Sequence, residues 1–404
     1  MRYDDALNIE DLRQMAVSRL PKIAGDFLEG GAEDDLTLAR NRDVFGQIRF
    51  RPRTLVDVSA RSSAVALFGK THAAPFGLAP TGMAGLYAFD ADVKLARVAA
   101  TAGVPFVLST ASLTTMERVM REGGGTQWFQ LYMSKDHPPA QALIERARDA
   151  GYEALVVTTD VGVQANREQN ARNGFSIPFH MTPRTLWDGL LHPRWLFGVF
   201  CRTVLDSGVP RFQNLDTHQG GKIIAKPIGE FRARREALDW SDLRWIRSIW
   251  PRKLLVKGVL TPEDALMALE CGADGIFVSN HGGRQLDGAV SPLEALPSVR
   301  AAVGDRLAII ADGGFRRGAD IVKALALGAD MCFTGRATLY GAAAGGEAGA
   351  AHAIMLLKKE IDRVMALLGC NAVAELNPDL LFCPELNFTA ALKPEAGVPQ
   401  MRAM

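Results

Sequence analysis

From about residue 75 onward the chain repeats one theme: a short apolar run rich in β-formers, a polar or glycine-containing turn, then a stretch of Ala, Leu, Glu and Arg at helical spacing. The runs fall at 75–80 (PFGLAP), 105–109 (PFVLS), 128–132 (WFQLY), 154–160 (ALVVTTD), 253–258 (KLLVKG), 275–279 (GIFVS), 307–312 (LAIIAD) and 331–335 (MCFTG). Eight β/α units in this order predict an α/β protein built on a closed (β/α)8 TIM barrel, with an open doubly wound sheet as the competing arrangement. The residues that end the runs favour the barrel. Thr81, Ser109, Gln130, Tyr132, Thr158, Asp160, Lys257, Ser279, His281, Asp312 and Arg336 all carry groups able to do chemistry. A closed barrel gathers such strand ends at one pocket, whereas an open sheet spreads them along a crevice.

Outside that rhythm lie three segments. Residues 1–74 predict a helical cap, with NIEDL at 8–12 as a helix start and FLEGGAED at 27–34 as a helix stopped by glycine before another begins. More than 90 residues separate the fourth run from the fifth, so 170–238 is read as an insertion acting as a lid. Residues 370–404 form a tail after the barrel segment 75–369. Within the insertion, 183–212 mixes Trp187, Leu190, Leu191, Trp195, Phe197 and Phe200 with Arg184, Arg194, Arg202 and Arg211. That mixture suits a helix lying on a membrane surface, and equally an amphipathic helix packed on the barrel or on another subunit.

Composition narrows the class. With 404 residues, 48% apolar and 23% charged, the chain can bury a large core, and a net charge of +1 gives no footprint for a nucleic acid. Five scattered cysteines without a CxxC pair, and an acidic rather than a basic and apolar N-terminus, point to reduced thiols in a cytoplasmic protein with no metal site. Gly69-Lys70-Thr71 is no phosphate-binding P-loop, because Ala64 stands where the first glycine belongs. No GxGxxG, HExxH or GxSxG is present.

The chemistry concentrates in SNHGGRQLDG at 279–288, where His281 and Arg284 sit three residues apart around two glycines. A surface turn is the bland reading of such a motif. The sharper one pairs a proton acceptor with a carboxylate clamp, which is what oxidation of a 2-hydroxy acid requires. DGGFRRG at 312–318 and TGR at 334–336 follow the seventh and eighth runs, where barrels commonly bind phosphate through glycine-rich turns and helix N-termini. Lys257, ending an apolar run, needs a negative partner if buried; otherwise it snorkels to the rim.

Taken together, SNHGGRQLDG, LVKG, DGGFRRG, WFQLY and the N-terminal LPK and FLEGGAED resemble the FMN-dependent 2-hydroxy acid dehydrogenases and oxidases from about Asn8 to Gly369. LEGGAED, RNRDVF, APTG, STAS, LHPRW and DIVKALALGA are most similar to the mandelate-oxidising branch. The resemblance implies His281 as the base, Asp160 as the carboxylate behind it, Tyr132 at the substrate hydroxyl, and Lys257 beside the flavin N1/O2 edge. It implies Arg284 and Arg167 on the substrate carboxylate. It implies Ser109, Gln130, Thr158, Ser279 and the backbone of Ala79, Pro80, Thr81 and Gly82 around the flavin ring. Asp312, Gly314, Arg316, Gly335 and Arg336 are implied at the ribityl phosphate. A quinone or other electron acceptor, a homotetramer and a location at the inner membrane surface are further implications.

Three positions shape the expected substrate. Phe27 stands where the family has a tyrosine that grips the substrate carboxylate, and a phenyl ring cannot donate that hydrogen bond. Gly82 and Ala111 are small where relatives acting on short hydroxy acids carry bulkier residues, which points to an aromatic or long 2-hydroxy acid. Use of oxygen as acceptor, or a peptide-derived or carboxylate-poor substrate, are the alternatives.

Overall fold

The computed structural model describes residues 2–176, 179, 182–214, 222–224 and 235–384. The eight apolar runs become the strands β1 (Phe76–Leu78), β2 (Phe106–Ser109), β3 (Gln127–Leu131), β4 (Ala154–Thr158), β5 (Lys253–Val259), β6 (Gly275–Ser279), β7 (Ala308–Asp312) and β8 (Met331–Thr334). Each pairs in parallel with its neighbours and β8 returns to β1, so the sheet closes into the expected barrel. Alternate residues fill its interior. Trp128, Phe277 and Phe333 pack with ring centroids 5.1–6.5 Å apart, joined by Val107, Val156, Leu255 and Ile310. The outward residues meet the surrounding helices in a second, larger core.

A short hairpin, Val65–Leu67 with Lys70–His72, puts Phe68 against Trp128 at 5.8 Å. The Gly69-Lys70-Thr71 sequence thus serves a tight turn, with Phe68 and Gly69 both at positive φ.

Three helices precede the barrel: α1 (Ile9–Arg19), α2 (Lys22–Glu29) and α3 (Leu36–Gln47). The Asn8 side chain caps α1 by accepting from the Asp11 amide at 2.9 Å. The first turn of α3 is held from far along the chain, because Asp287 of the SNHGGRQLDG motif accepts from the amides of Thr37, Leu36 and Asp34. The last barrel helix, Arg336–Leu368, kinks at Gly345 and Gly346. The chain then returns so that Leu381–Phe382 pairs with Arg49–Phe50. Most of the expected tail, and much of the insertion at 215–234, lies outside the described residues.

The segment 183–212 forms no continuous amphipathic helix. His192 leaves helical geometry before Pro193, so Pro183–Leu191 ends there, and 193–207 follows as a second helical run whose middle, Leu196–Cys201, is π-helical. Leu186, Trp187, Leu190, Leu191, Phe197 and Leu205 are exposed. Trp195 is not: its indole N–H donates to the Leu86 carbonyl at 2.7 Å and ties the insertion to the loop after β1. Among the described residues no helix is long and apolar enough to cross a membrane.

Candidate active site

A cavity of about 1050 Å³ opens at the C-terminal ends of the strands, bordered by α2, the segment 161–176 that leads from β4 into the insertion, and Arg235. His281, Tyr132, Lys257, Arg284, Arg167, Phe27, Gly82 and Ala111 line it. So do Ala79, Pro80, Thr81, Gln130, Thr158, Asp312, Gly314, Arg316, Gly335 and Arg336. Asp160, Ser109 and Ser279 are not on the wall; they stand one layer behind it.

His281 follows β6 in left-handed geometry, φ 58°, which turns its ring back over the strand ends. Its Nδ1 lies 2.9 Å from Asp160 Oδ1, and its Nε2 lies 3.4 Å from the Tyr132 hydroxyl. Burial works to raise the Asp160 carboxyl, but His281 and Lys257 outweigh it and hold the group below the ordinary carboxylate range. An ionised Asp160 can only accept, so Nδ1 carries the proton and Nε2 presents its lone pair to the cavity. Burial pulls the imidazole below its ordinary value against the opposing pull of Asp160, which keeps the ring neutral at rest. Gly258 makes this approach feasible. A Cβ there would lie 2.8 Å from the Asp160 Cβ, and its φ of 110° excludes most other residues.

Lys257 is 4% exposed and its partner is built into the protein. Its Nζ lies 2.7 Å from Asp312 Oδ2 and donates to Ser279 Oγ at 2.7 Å. Burial alone would lower its pKa; Asp312 and Asp160 outweigh that and leave it raised, so the ammonium stays charged. Asp312, expected at the ribityl phosphate, lines the cavity with its carboxylate paired to Lys257 and accepting from Ser279 at 3.1 Å.

Three guanidinium groups converge near Phe27. Arg284 Nη1 donates to the carbonyls of Phe27 and Gly30, and its Cζ lies 4.8 Å from the Phe27 ring centroid. Arg167 donates to the Arg284 carbonyl and to Gln285 Oε1. Arg336 donates to the carbonyls of Leu28, Gly282 and Gly30 at 2.8–3.0 Å. Its fork therefore brackets the two glycine turns together, rather than standing clear as the phosphate ligand the resemblance implies. Burial and the neighbouring positive charge pull Arg284 and Arg336 each down to about 10. Three guanidinium groups this close together make the region positive and suited to an anion.

The two glycine-rich turns are not equivalent. The first turn of the helix Gly318–Ala326 is already occupied, because Asp320 accepts from the amides of Arg316 and Arg317. The helix that begins at Arg336 has Gly335 at its N-cap and no side-chain cap. Arg316 and Gly314 lie on the same cavity wall as this helix start, and a helix N-terminus without a side-chain cap is able to receive an anion.

Sequence reasoning overlooked several residues. Gln285 donates to the Asp160 carbonyl and accepts from Arg167, joining base and clamp, but a neutral amide inside a motif gives no signal. Asn280 exchanges hydrogen bonds with Asn41 and latches the motif to α3. Phe175 stacks on Phe27 with centroids 4.3 Å apart. Arg235 lies over the Tyr132 ring at 5.1 Å. Thr334 and Tyr87 also line the cavity.

Residues 16–383 match the model of the FMN-dependent dehydrogenase family. The chain is 46% identical over 374 residues to the (S)-mandelate dehydrogenase of Pseudomonas putida, covering 93% of each chain. It is 42% identical to the L-lactate dehydrogenase of Caulobacter vibrioides, with 92% of this chain and 96% of that one covered. A crystal structure of the monotopic membrane protein (S)-mandelate dehydrogenase matches with a TM-score of 0.86 at 45% identity, over 94% of this chain and 99% of that one. Fold and cavity define a barrel oxidoreductase, and this chain belongs to the FMN-dependent dehydrogenase family. It is an FMN-dependent 2-hydroxy acid dehydrogenase.

The cavity fits that cofactor. Gln130 Nε2, Thr158 Oγ1 and Thr334 Oγ1 are buried at the ends of β3, β4 and β8 and have no hydrogen-bond partner. Three such groups on one wall are destabilising unless a ligand with polar edges meets them. Ser109 explains the orientation of one: its hydroxyl donates to Gln130 Oε1 at 3.0 Å, which leaves the Gln130 amide N–H groups for the cavity.

Proposed function

We propose that the protein oxidises an aryl or otherwise bulky (S)-2-hydroxy acid to the 2-keto acid and hands the electrons to a membrane quinone. The observation that carries the chemistry is the convergence, in one cavity, of a neutral histidine backed by an ionised aspartate with a cluster of arginines. Bound FMN supplies the two-electron acceptor.

In this reading the arginine region binds the substrate carboxylate through Arg284 and Arg167, and Tyr132 meets the hydroxyl. His281 takes a substrate proton at Nε2, and Asp160 stabilises the imidazolium that results. Lys257, whose positive charge is compensated in the resting site by Asp312, would stabilise negative charge on bound FMN. Gln130, Thr158 and Thr334 hold the polar edges of the ring, with the Ala79–Gly82 backbone beside them. Arg316, Gly314 and Gly335 hold the phosphate.

Substrate size is argued from Gly82 and Ala111. Both line the cavity, and a Cβ at position 82 would come within 3.1 Å of the Ala111 Cβ, so larger residues there would narrow the wall. The membrane reading rests on the exposed Trp187, Leu190, Leu191 and Phe197, which no described element covers, and it suits a lipid-dissolved acceptor. The homotetramer is an extension from the family and is tested by sedimentation of the purified flavoprotein.

Anaerobic titration with glycolate, lactate, (S)-mandelate and longer hydroxy acids tests the reaction. Bleaching of the flavin by mandelate in preference to glycolate supports it, and no bleaching by any of them refutes it. Peroxide formation in air would turn the assignment from quinone-linked dehydrogenase to oxidase. A second reading, a carboxylate-poor substrate, is favoured by the missing hydroxyl at Phe27; faster bleaching by 2-hydroxy amides than by the acids would select it.

A further inference from the structure

Phe27 contributes no hydrogen bond to a substrate, and its ring is committed to Phe175 and to the Arg284 guanidinium. Yet the cavity wall beside the arginines carries a phenol. Tyr87 lies on the loop after β1, just past the turn Ala84–Leu86, and lines the same cavity as Phe27, Arg284 and Arg336. It is 3% exposed. Among the described residues its hydroxyl has no hydrogen-bond partner. A phenol this deep ordinarily satisfies its hydroxyl, and one left open toward a cavity has its partner in the ligand.

Resting on the hydroxy acid reading above, we propose that Tyr87 donates to the substrate carboxylate and so supplies, from the opposite end of the sequence motif set, the hydrogen bond that Phe27 lacks. Arg284, Arg336 and Arg167 all act electrostatically on Tyr87, which places it in the field of the anion-binding region. Burial pushes the phenol well above its ordinary value while the arginines pull the other way, so it remains a protonated donor at any working pH.

The test compares wild type, Tyr87→Phe, Phe27→Tyr and the double variant, each checked for flavin content and Tm. The probes are (S)-mandelate and its uncharged carboxamide. Tyr87→Phe removes only an unpartnered hydroxyl, so folding should be unaffected. The expected result is a roughly ten- to hundredfold fall in kcat/KM for mandelate, carried mainly by KM, matching the loss of a hydrogen bond to a charged group. Oxidation of the carboxamide should change by less than about threefold, the scale of one weak neutral hydrogen bond. Phe27→Tyr should recover much of the loss in the Tyr87→Phe background while adding little to wild type. Equal losses for acid and amide, or no loss for mandelate, would overturn the role of Tyr87. If wild type oxidises neither probe nor any other 2-hydroxy acid, the parent reading falls first and the proposal goes with it. Perturbation of the flavin spectrum by the 2-keto product gives an independent Kd for each variant; a Kd unchanged by Tyr87→Phe likewise counts against it.

Discussion

Trp128, inside the barrel, is 2% exposed; Trp187, in the insertion between β4 and β5, is 64% exposed. The barrel places its large rings against one another and points its polar strand ends at a single cavity, where Lys257 and His281 each have a carboxylate partner. Among the described residues of the insertion Leu186, Trp187, Leu190, Leu191, Phe197 and Leu205 are exposed, while Trp195 and Arg202 reach the loop after β1. The lesson is a division of labour: a preorganised reaction site resists rearrangement because its histidine and its lysine are each fixed by a carboxylate, while an exposed apolar surface is suited to a contact outside the chain.

The sharpest way to test the barrel half is to remove one member of a fixed pair. In His281→Gln we expect bound flavin to be retained, since its supports lie on other strands, while anaerobic reduction by substrate slows by about a hundredfold to ten-thousandfold. Near-normal reduction would show that His281 is not the base. Arg284→Met comes next. It loses a charged donor from the anion region, and kcat/KM should drop by roughly a hundredfold, mainly through KM. An unchanged KM would put the carboxylate elsewhere.

The same pair predicts a pH profile. Because burial depresses the His281 pKa, the reactive neutral form persists below the ordinary histidine range, and the reduction rate should fall only as pH drops through that lowered value. Asp160→Asn removes the group that raises the histidine, so the acid limb should move to still lower pH while the plateau rate falls. Stopped-flow reduction across pH 4.5–8 on the order of half-unit steps checks both directions. A limb centred above about 6.5 would mean that Asp160 dominates over burial.

These two regions were also unequally legible. All eight strands could be read because parallel barrel strands are continuous apolar runs, and the reactive residues could be read because they close those runs. What stayed hidden was pairing. Nothing in the spacing of Lys257 and Asp312 says that they meet across β5 and β7. Nothing in TGR says that Arg336 spends its fork on three carbonyls. Tyr87 was missed because it ends no strand and belongs to no polar motif; its role comes from the loop that turns it inward. In the insertion, composition revealed the apolar face but not the break at Pro193 or the docking of Trp195.

The exposed face gives a prediction with little effect on chemistry. Replacing Trp187, Leu190, Leu191 and Phe197 by serine should release the protein from anionic vesicles, while flavin bleaching by substrate stays within about twofold. Failure of the unmodified protein to bind such vesicles at low salt would assign this face to a subunit contact instead.

The smallest expected effect probes the seam between the regions. Trp195 donates to the Leu86 carbonyl, one residue before Tyr87, and Arg202 lies over the Phe89 ring at 4.2 Å, two residues after it. Trp195→Phe keeps an aromatic ring but deletes the donor, leaving a carbonyl without its protein partner. A single hydrogen bond of this kind contributes about 0.5–1.5 kcal/mol net, so if the contact fixes the Tyr87 loop, KM should rise by about two- to tenfold. Vesicle binding should stay unchanged, because Trp195 is not part of the exposed face. A KM shift without a partition shift would mean that the insertion helps set the substrate pocket as well as the location of the enzyme. An unaltered KM would leave the two regions energetically independent, with the loop held by its own turn at Ala84–Leu86.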